Sequence, residues 1–131
     1  MVLSHWPNAP YNLDHQVTTE AVIRACSLAN ALGVKTAHPA RRWPAIYFFG
    51  AGVPYTEFEE FGPDTYIDIT AVFDQKLRAM QALESQPFLA NWYTGYALQR
   101  AHQARTFSGN QNIRYAEAFA RYRPMVPEFL P

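Results

Sequence analysis

VLSHWPNAPYNLDH, residues 2–15, runs from a short apolar strand through a polar loop into the start of a helix. The strand begins at Val2, the loop contains His5, and His15 falls in the first turn of the predicted helix. Open α/β sheets bind ligands at the carboxyl ends of their strands. The stretch therefore predicts an α/β domain with a candidate site in the loop between its first strand and first helix.

The first helix is predicted from about Gln16 to Leu32. Its apolar positions repeat every three or four residues and share one helical face: Ala21, Ala25, Leu28 and Leu32. Asp14 stands where an N-cap is expected, and Gly33 follows the last periodic residue, as a C-terminal cap does.

Strands and helices alternate along the rest of the chain. The predicted elements are a strand over Ala45–Phe49, a strand over Thr65–Ile69, a helix that follows Thr70 as its cap, and a helix over about Leu89–Thr106. The continuous apolar run Ala45–Phe49 suits a strand that is buried on both faces. Tyr115–Tyr122 is short and fits neither pattern. The alternation predicts one layered α/β domain over residues 1–131.

The amino-acid composition limits which binding partners and which cellular compartment are expected for this protein. The 131 residues are 49% hydrophobic and 17% charged, which is enough apolar material for a packed core. Lys plus Arg equals Asp plus Glu at 11 each, so net charge gives no general attraction to nucleic acid or to an anionic membrane. The single cysteine, Cys26, excludes an intramolecular disulfide, and no apolar run approaches a membrane span. We expect a cytoplasmic protein.

His15 is the residue whose chemistry is most informative. A neutral imidazole in the first turn of a helix is able to bind a metal, and Asp14 beside it is able to orient that imidazole. The alternative is a helix-capping Asp next to a solvated His. The residues alone leave both interpretations open.

Five stretches in order resemble the LmbE-like (PIG-L) family of zinc-dependent N-deacetylases. Asn12–His15, followed by Thr18–Val22, resembles the family's second signature, commonly His-Pro-Asp-His at a helix start. The other four similar stretches are Tyr47–Phe49, Pro63–Thr70, Lys76–Gln86 and Tyr115–Phe119. Together they cover nearly the whole chain.

The resemblance implies a Rossmann-like, three-layer α/β/α fold with a mostly parallel sheet, and removal of the acetyl group from an N-acetylated amino-sugar conjugate. It implies that His15 binds zinc, that Asp14 supports the site, and that Asn12 occupies the position of the oxyanion-stabilising His. Asn at that position donates a neutral hydrogen bond but delivers no proton.

The family's first signature, His-Pro-Asp-Asp-Glu, has no counterpart before His5. Because a catalytic zinc usually takes three protein ligands, we expect zinc to bind only if ligands from a separate N-terminal segment are supplied. The sequence then corresponds to the C-terminal portion of a hydrolase, inactive as this chain alone. An N-terminal fragment and self-association are its expected protein contacts.

Aromatic and acidic residues later in the chain are the candidates for substrate contact. Glu117 matches a polar position of the family, with a surface Glu as the alternative. Tyr55 and Phe58 lie in a long loop predicted to line the substrate mouth, with a flap packed on the core as the alternative. The competing functional hypotheses are a non-catalytic remnant that binds a sugar or a protein through this aromatic loop, and a purely structural α/β piece.

Overall fold

A computed structural model describes residues 1–40, 42–51 and 60–126. The strands are β1 (Val2–His5), β2 (Ile46–Phe49), β3 (Thr65–Asp68) and β4 (Ala116–Arg121). The helices are α1 (Leu13–Asn30), α2 (Phe73–Gln81) and α3 (Leu89–Ser108), and a short 3-10 helix at Thr70–Val72 leads into α2. Each predicted strand and helix is confirmed, and the undecided segment after residue 115 is the strand β4.

The four strands form one mixed sheet in the order β1-β2-β4-β3. β1 and β2 are parallel, with Val2 opposite Ile46 and His5 opposite Phe49. β2 and β4 are antiparallel, with Phe48 opposite Ala120. The helix α1 provides the long crossover that a parallel pair requires, whereas β4 returns beside β2 in the opposite direction. The prediction of a mostly parallel sheet is therefore not confirmed in the described part of the chain.

Both ends of α1 differ from the prediction. Asn12, not Asp14, is the N-cap: its backbone is extended and its side chain accepts a hydrogen bond from the Asp14 amide. The helix therefore begins at Leu13, three residues before the predicted Gln16. At the other end the cap is Ala31, whose N–H bonds to the Leu28 carbonyl. Gly33 is not the cap because the chain leaves the helix two residues earlier.

The face of α1 that packs on the strands is not the periodic apolar face read from the sequence. Thr19 is fully buried, and Val22, Ile23 and Cys26 on the same side are partly buried. Ala21, Ala25 and Leu28 are exposed on the other side. The helix thus carries apolar residues on two faces, and only one of them meets the strands.

The chain contains two compact units, residues 1–63 with 119–131, and residues 64–118. In the first unit, Ile46 and Phe48 of β2 are buried, and Ala9 of the loop after β1 is 1% exposed. The prediction of one partial domain over residues 1–131 stays a prediction.

The second unit is centred on α3 and the segment that enters β4. Its buried core residues are Ala97, Ala101, Ala104, Ile69, Phe73, Ile113 and Ala116. The Thr70 side chain accepts hydrogen bonds from the amides of Arg114 and Tyr115, and it makes no cap bond to the helix that follows. The predicted capping role of Thr70 is wrong because its hydroxyl group holds this returning segment instead.

Within the described ranges, no helix is both long enough and apolar enough to cross a membrane.

Candidate functional site

The candidate site lies where β1 and β2 end and α1 begins. Parallel strands end at the same edge of a sheet, so His5 and Phe49 come to lie side by side. The amide of Trp6 continues the pairing by donating to the Phe49 carbonyl at 2.9 Å. The Gln16 side chain donates to the Ala9 carbonyl at 2.8 Å, which folds the loop back onto the first turn of α1.

Asn12 joins the helix cap to His15. Its Oδ1 accepts from the Asp14 N–H at 3.1 Å, so its Nδ2 is the atom that lies 3.0 Å from His15 Nε2. An amide nitrogen only donates, so His15 Nε2 accepts this bond and the neutral ring carries its hydrogen on Nδ1. The N-cap therefore also sets the tautomer of His15.

His5 also belongs to the candidate site, although the sequence pattern did not predict a role for it. Its imidazole is stacked on that of His15, with ring centroids 4.1 Å apart and an interplanar angle of 12°. The ring of Phe49 contacts it from β2, with a centroid distance of 4.9 Å. The available signal was position alone: a His at the carboxyl end of a strand that leads into a His-bearing helix start.

Burial and the neighbouring His15 imidazole lower the pKa of His5 below its ordinary value of 6.5. Removal from water disfavours the charged ring, and a second imidazolium would repel it. His5 is therefore neutral at neutral pH. Among the described residues, the Nδ1 atoms of His5 and His15 are both buried without a hydrogen-bond partner. Buried polar atoms of this kind are rare and concentrate where a structure has a functional reason to hold them.

A buried pair of hydroxyl groups fixes the strand beneath the site. Thr19 Oγ1 donates to the His5 carbonyl at 2.7 Å, and Ser4 Oγ lies 2.8 Å from Thr19 Oγ1. These bonds attach the buried face of α1 to β1, so the backbone that carries His5 is held to the helix that carries His15.

The described residues do not form a zinc centre on their own. They bring together no group of three His, Cys, Asp or Glu side chains suited to a metal ion. His5 and His15 are nearly parallel, and in-plane lone pairs of parallel rings point side by side rather than toward one ion. His15 Nε2 in addition faces the Asn12 amide. Zinc binding through supplied ligands stays a prediction.

The other predicted site residues lie in different settings. Asp14 contributes through its backbone N–H, and its side chain is exposed. Glu117, in the second compact unit, accepts from Lys76 Nζ at 2.5 Å, and Lys76 also lies 5.6 Å from the centre of the Tyr93 ring. Tyr55 and Phe58 fall outside the described residues. Substrate contact by Glu117 stays a prediction.

Two hydratases, one compared by sequence and one by structure, match nearly the whole of this chain. It is 39% identical, over 132 aligned positions, to the 4-oxalmesaconate hydratase of Pseudomonas putida, covering 98% of this chain and 50% of that protein. The crystal structure of GalB, the 4-carboxy-2-hydroxymuconate hydratase from Pseudomonas putida KT2440, superimposes with a TM-score of 0.87 at 37% identity. That alignment covers 100% of this chain and 55% of GalB. The chain thus spans about half the length of these relatives.

A second solved structure supports the fold alone. The conserved protein TT1542 from Thermus thermophilus has a TM-score of 0.69 and 22% identity, and the match covers 96% of this chain and 53% of TT1542. No model of a known protein family matches the chain.

These comparisons overturn the deacetylase function predicted from the sequence. The relatives that match nearly the whole chain are hydratases, and not hydrolases that cleave an amide. Asn12–His15 shares only its last two residues with the family's His-Pro-Asp-His signature. Membership of the LmbE-like family stays a prediction.

Proposed function

We propose that this chain is part of a hydratase that adds water to an unsaturated, carboxylate-bearing acid of the kind named for its relatives, 4-oxalmesaconate or 4-carboxy-2-hydroxymuconate. The observation that carries the proposal is the 39% identity to a hydratase across 98% of the chain. The superposition on GalB, a hydratase of the same organism, agrees with it at a TM-score of 0.87.

The chemistry of hydration requires two proton transfers. The oxygen of water bonds to one carbon of the double bond, a proton from that water is taken by a base, and a proton is delivered to the neighbouring carbon. Imidazole is suited to both transfers because its ordinary pKa lies near neutral pH.

His5 is the group that we assign to proton removal from water. The lowered pKa of His5 keeps its ring neutral, which is the state in which imidazole accepts a proton. His15 lies against the ring of His5 at 4.1 Å and restricts its orientation. Asn12 in turn holds His15 through the 3.0 Å contact to Nε2. The three residues thus act as one positioned group, and no step is assigned to a metal.

We also propose that the chain keeps the Rossmann-like layered fold of the LmbE-like family while its reaction is hydration. The support is the ordered series of family-like stretches, from Asn12–His15 to Tyr115–Phe119. The parallel β1-α1-β2 unit is compatible with this proposal.

The test is to incubate the purified chain with 4-carboxy-2-hydroxymuconate and follow loss of its conjugated ultraviolet absorbance. A second readout is the melting temperature with and without substrate, since a ligand that binds only the folded state stabilises it. We expect turnover or a substrate-dependent rise in melting temperature, and we expect His5→Phe to abolish turnover. If the chain shows neither response, or if acetate is released from an N-acetylglucosamine conjugate, the proposal fails.

A further inference from the structure

The helix α1 has a second apolar face that no described residue covers. On this outer face, Leu13 is 71% exposed, Val17 is 64% exposed and Leu28 is 60% exposed. Ala21 and Ala25 lie between them and are also exposed, and Leu32, just beyond the helix end, is 92% exposed. We call these six residues the outer face of α1. Contiguous exposed apolar residues of this extent mark interaction surfaces.

The outer face is complementary to itself when the helix is reversed. Leu13 and Leu32 lie equally far along the sequence from a midpoint between Val22 and Ile23. Val17 and Leu28 are also equally far from that midpoint. Two copies of α1 packed antiparallel about this midpoint therefore bring Val17 opposite Leu28, and Leu13 toward the end of the partner helix, just beyond which Leu32 lies.

The middle of the outer face suits close approach of two helices. Ala21 and Ala25 lie on either side of the same midpoint and have the smallest side chains of the face. Small residues at a crossing let two helix backbones come near each other while the larger residues at the ends interlock. This places the tightest part of the contact at the two-fold axis.

The charges beside the face centre on residue 22, half a residue from that midpoint. Glu20 and Arg24 form an ion pair within the helix at 2.5 Å, with side chains 62% and 75% exposed respectively. They lie on opposite sides of the midpoint, so reversal of one helix brings Glu20 of each copy toward Arg24 of the other. A two-fold interface uses the same patch on both subunits, and opposite charges at its centre favour one register.

We propose that the outer face of α1 binds the same face of a second copy of this chain, with the two helices antiparallel. The occupant is a second copy because the large residues, the small residues and the charge pair each centre within one residue of the same place on a single helix. The inference is independent of the proposed reaction.

Sedimentation of the full chain through a dilution series tests the proposal. We expect a monomer–dimer equilibrium whose dissociation constant rises about tenfold or more in Leu28→Glu, because a carboxylate would then be buried in the interface. Leu83→Glu is the matched control, since Leu83 is 49% exposed and lies outside α1. A monomer at all concentrations, or a dimer equally sensitive to both variants, would overturn the proposal.

Charge reversal tests the antiparallel register. Glu20→Arg and Arg24→Glu alone each place like charges at the centre, and we expect each to weaken the dimer by about threefold or more. The double variant restores opposite charges and is expected to dimerise like the unmodified chain. A double variant that is weaker than both single variants would contradict antiparallel pairing. Circular dichroism of every variant confirms that the monomer is folded.

Discussion

The hydroxyl group of Thr19, fully buried in α1, donates a hydrogen bond to the carbonyl oxygen of His5 across 2.7 Å. A threonine hydroxyl has one hydrogen, so the 2.8 Å contact between Thr19 and Ser4 has Ser4 as its donor. Hydrogen bonds therefore run in one direction, from Ser4 to Thr19 to the backbone of His5. This relay couples the packing of α1 to the position of the site.

Thr19→Val is expected to lower the free energy of unfolding by about 1–3 kcal/mol. Valine has nearly the same shape, so the cost comes from leaving the Ser4 hydroxyl group and the His5 carbonyl without their partner. Ser4→Ala is the control and is expected to cost less, about 0.5–1.5 kcal/mol, because the bond from Thr19 to His5 survives. Urea denaturation measures both. Equal losses in the two variants would show that the relay does not run in this direction.

Asn12 is predicted to have two separable roles. Asn12→Ala removes the cap and is expected to cost about 1 kcal/mol of stability. Asn12→Asp keeps an acceptor for the Asp14 amide but loses the donor to His15 Nε2, so stability is retained while the proposed hydration slows by about tenfold or more. Denaturation and initial rates on the same samples separate the two roles. Full activity in Asn12→Asp would show that the His15 tautomer is irrelevant.

His5 is expected to make stability depend on pH near its ordinary pKa. Burial and His15 lower the pKa of His5 in the folded chain. As the pH falls below 6.5, His5 is therefore protonated more readily in the unfolded chain than in the folded chain. The stability contributed by neutral His5 is therefore present above pH 6.5 and is lost as the pH falls toward the lower, folded pKa.

His5→Phe keeps a ring for stacking but does not titrate, and we expect it to flatten the fall in melting temperature over this range. The exposed Asp68 also has a lowered pKa, through hydrogen bonds from Thr70, but its effect begins below pH 3.8. The two effects therefore begin at different pH values, 6.5 for His5 and 3.8 for Asp68. An unchanged slope in His5→Phe would assign the pH dependence elsewhere.

The Lys76–Glu117 pair is expected to be structural. Both side chains are partly buried, at 21% and 35% exposed, so a double-mutant cycle of Lys76→Met and Glu117→Gln should give a coupling energy of up to about 1 kcal/mol. Glu117→Gln should leave the Michaelis constant of the proposed reaction unchanged. A large rise in that constant without loss of stability would instead support the predicted substrate contact.

Much of the secondary structure followed from local pattern. The run ending at Phe49 is a strand because it is apolar throughout and bounded by Pro44 and Gly50, and α3 begins at the predicted Leu89. The outer face of α1 could not be assigned in the same way. Helical periodicity shows that residues share a face, but it does not say which face the strands cover when both are apolar.

The location of the candidate site stays a prediction, whereas the reaction that the sequence assigned to it is wrong. Asn12 and His15 do come together, because a cap residue and the first turn of a helix are local features. His5 was missed because its contacts depend on tertiary structure: strand pairing brings Phe49 beside it from a distant part of the sequence, and packing of α1 on β1 brings His15. The reaction depends on groups around the site, and a short signature at a helix start fixes only its geometry.

The parallel pairing of β1 with β2 determines at which stage of folding the candidate site is assembled. The Val2 amide bonds to the Ala45 carbonyl at 2.8 Å, so this ladder closes only after the intervening forty or so residues, including α1, have been brought back. His5 is part of that ladder, and the Thr19 hydroxyl group attaches its backbone to the helix that carries His15. Amide hydrogen exchange should therefore find the strand and the helix opening together, as one cooperative unit, and each such opening would separate the two imidazoles.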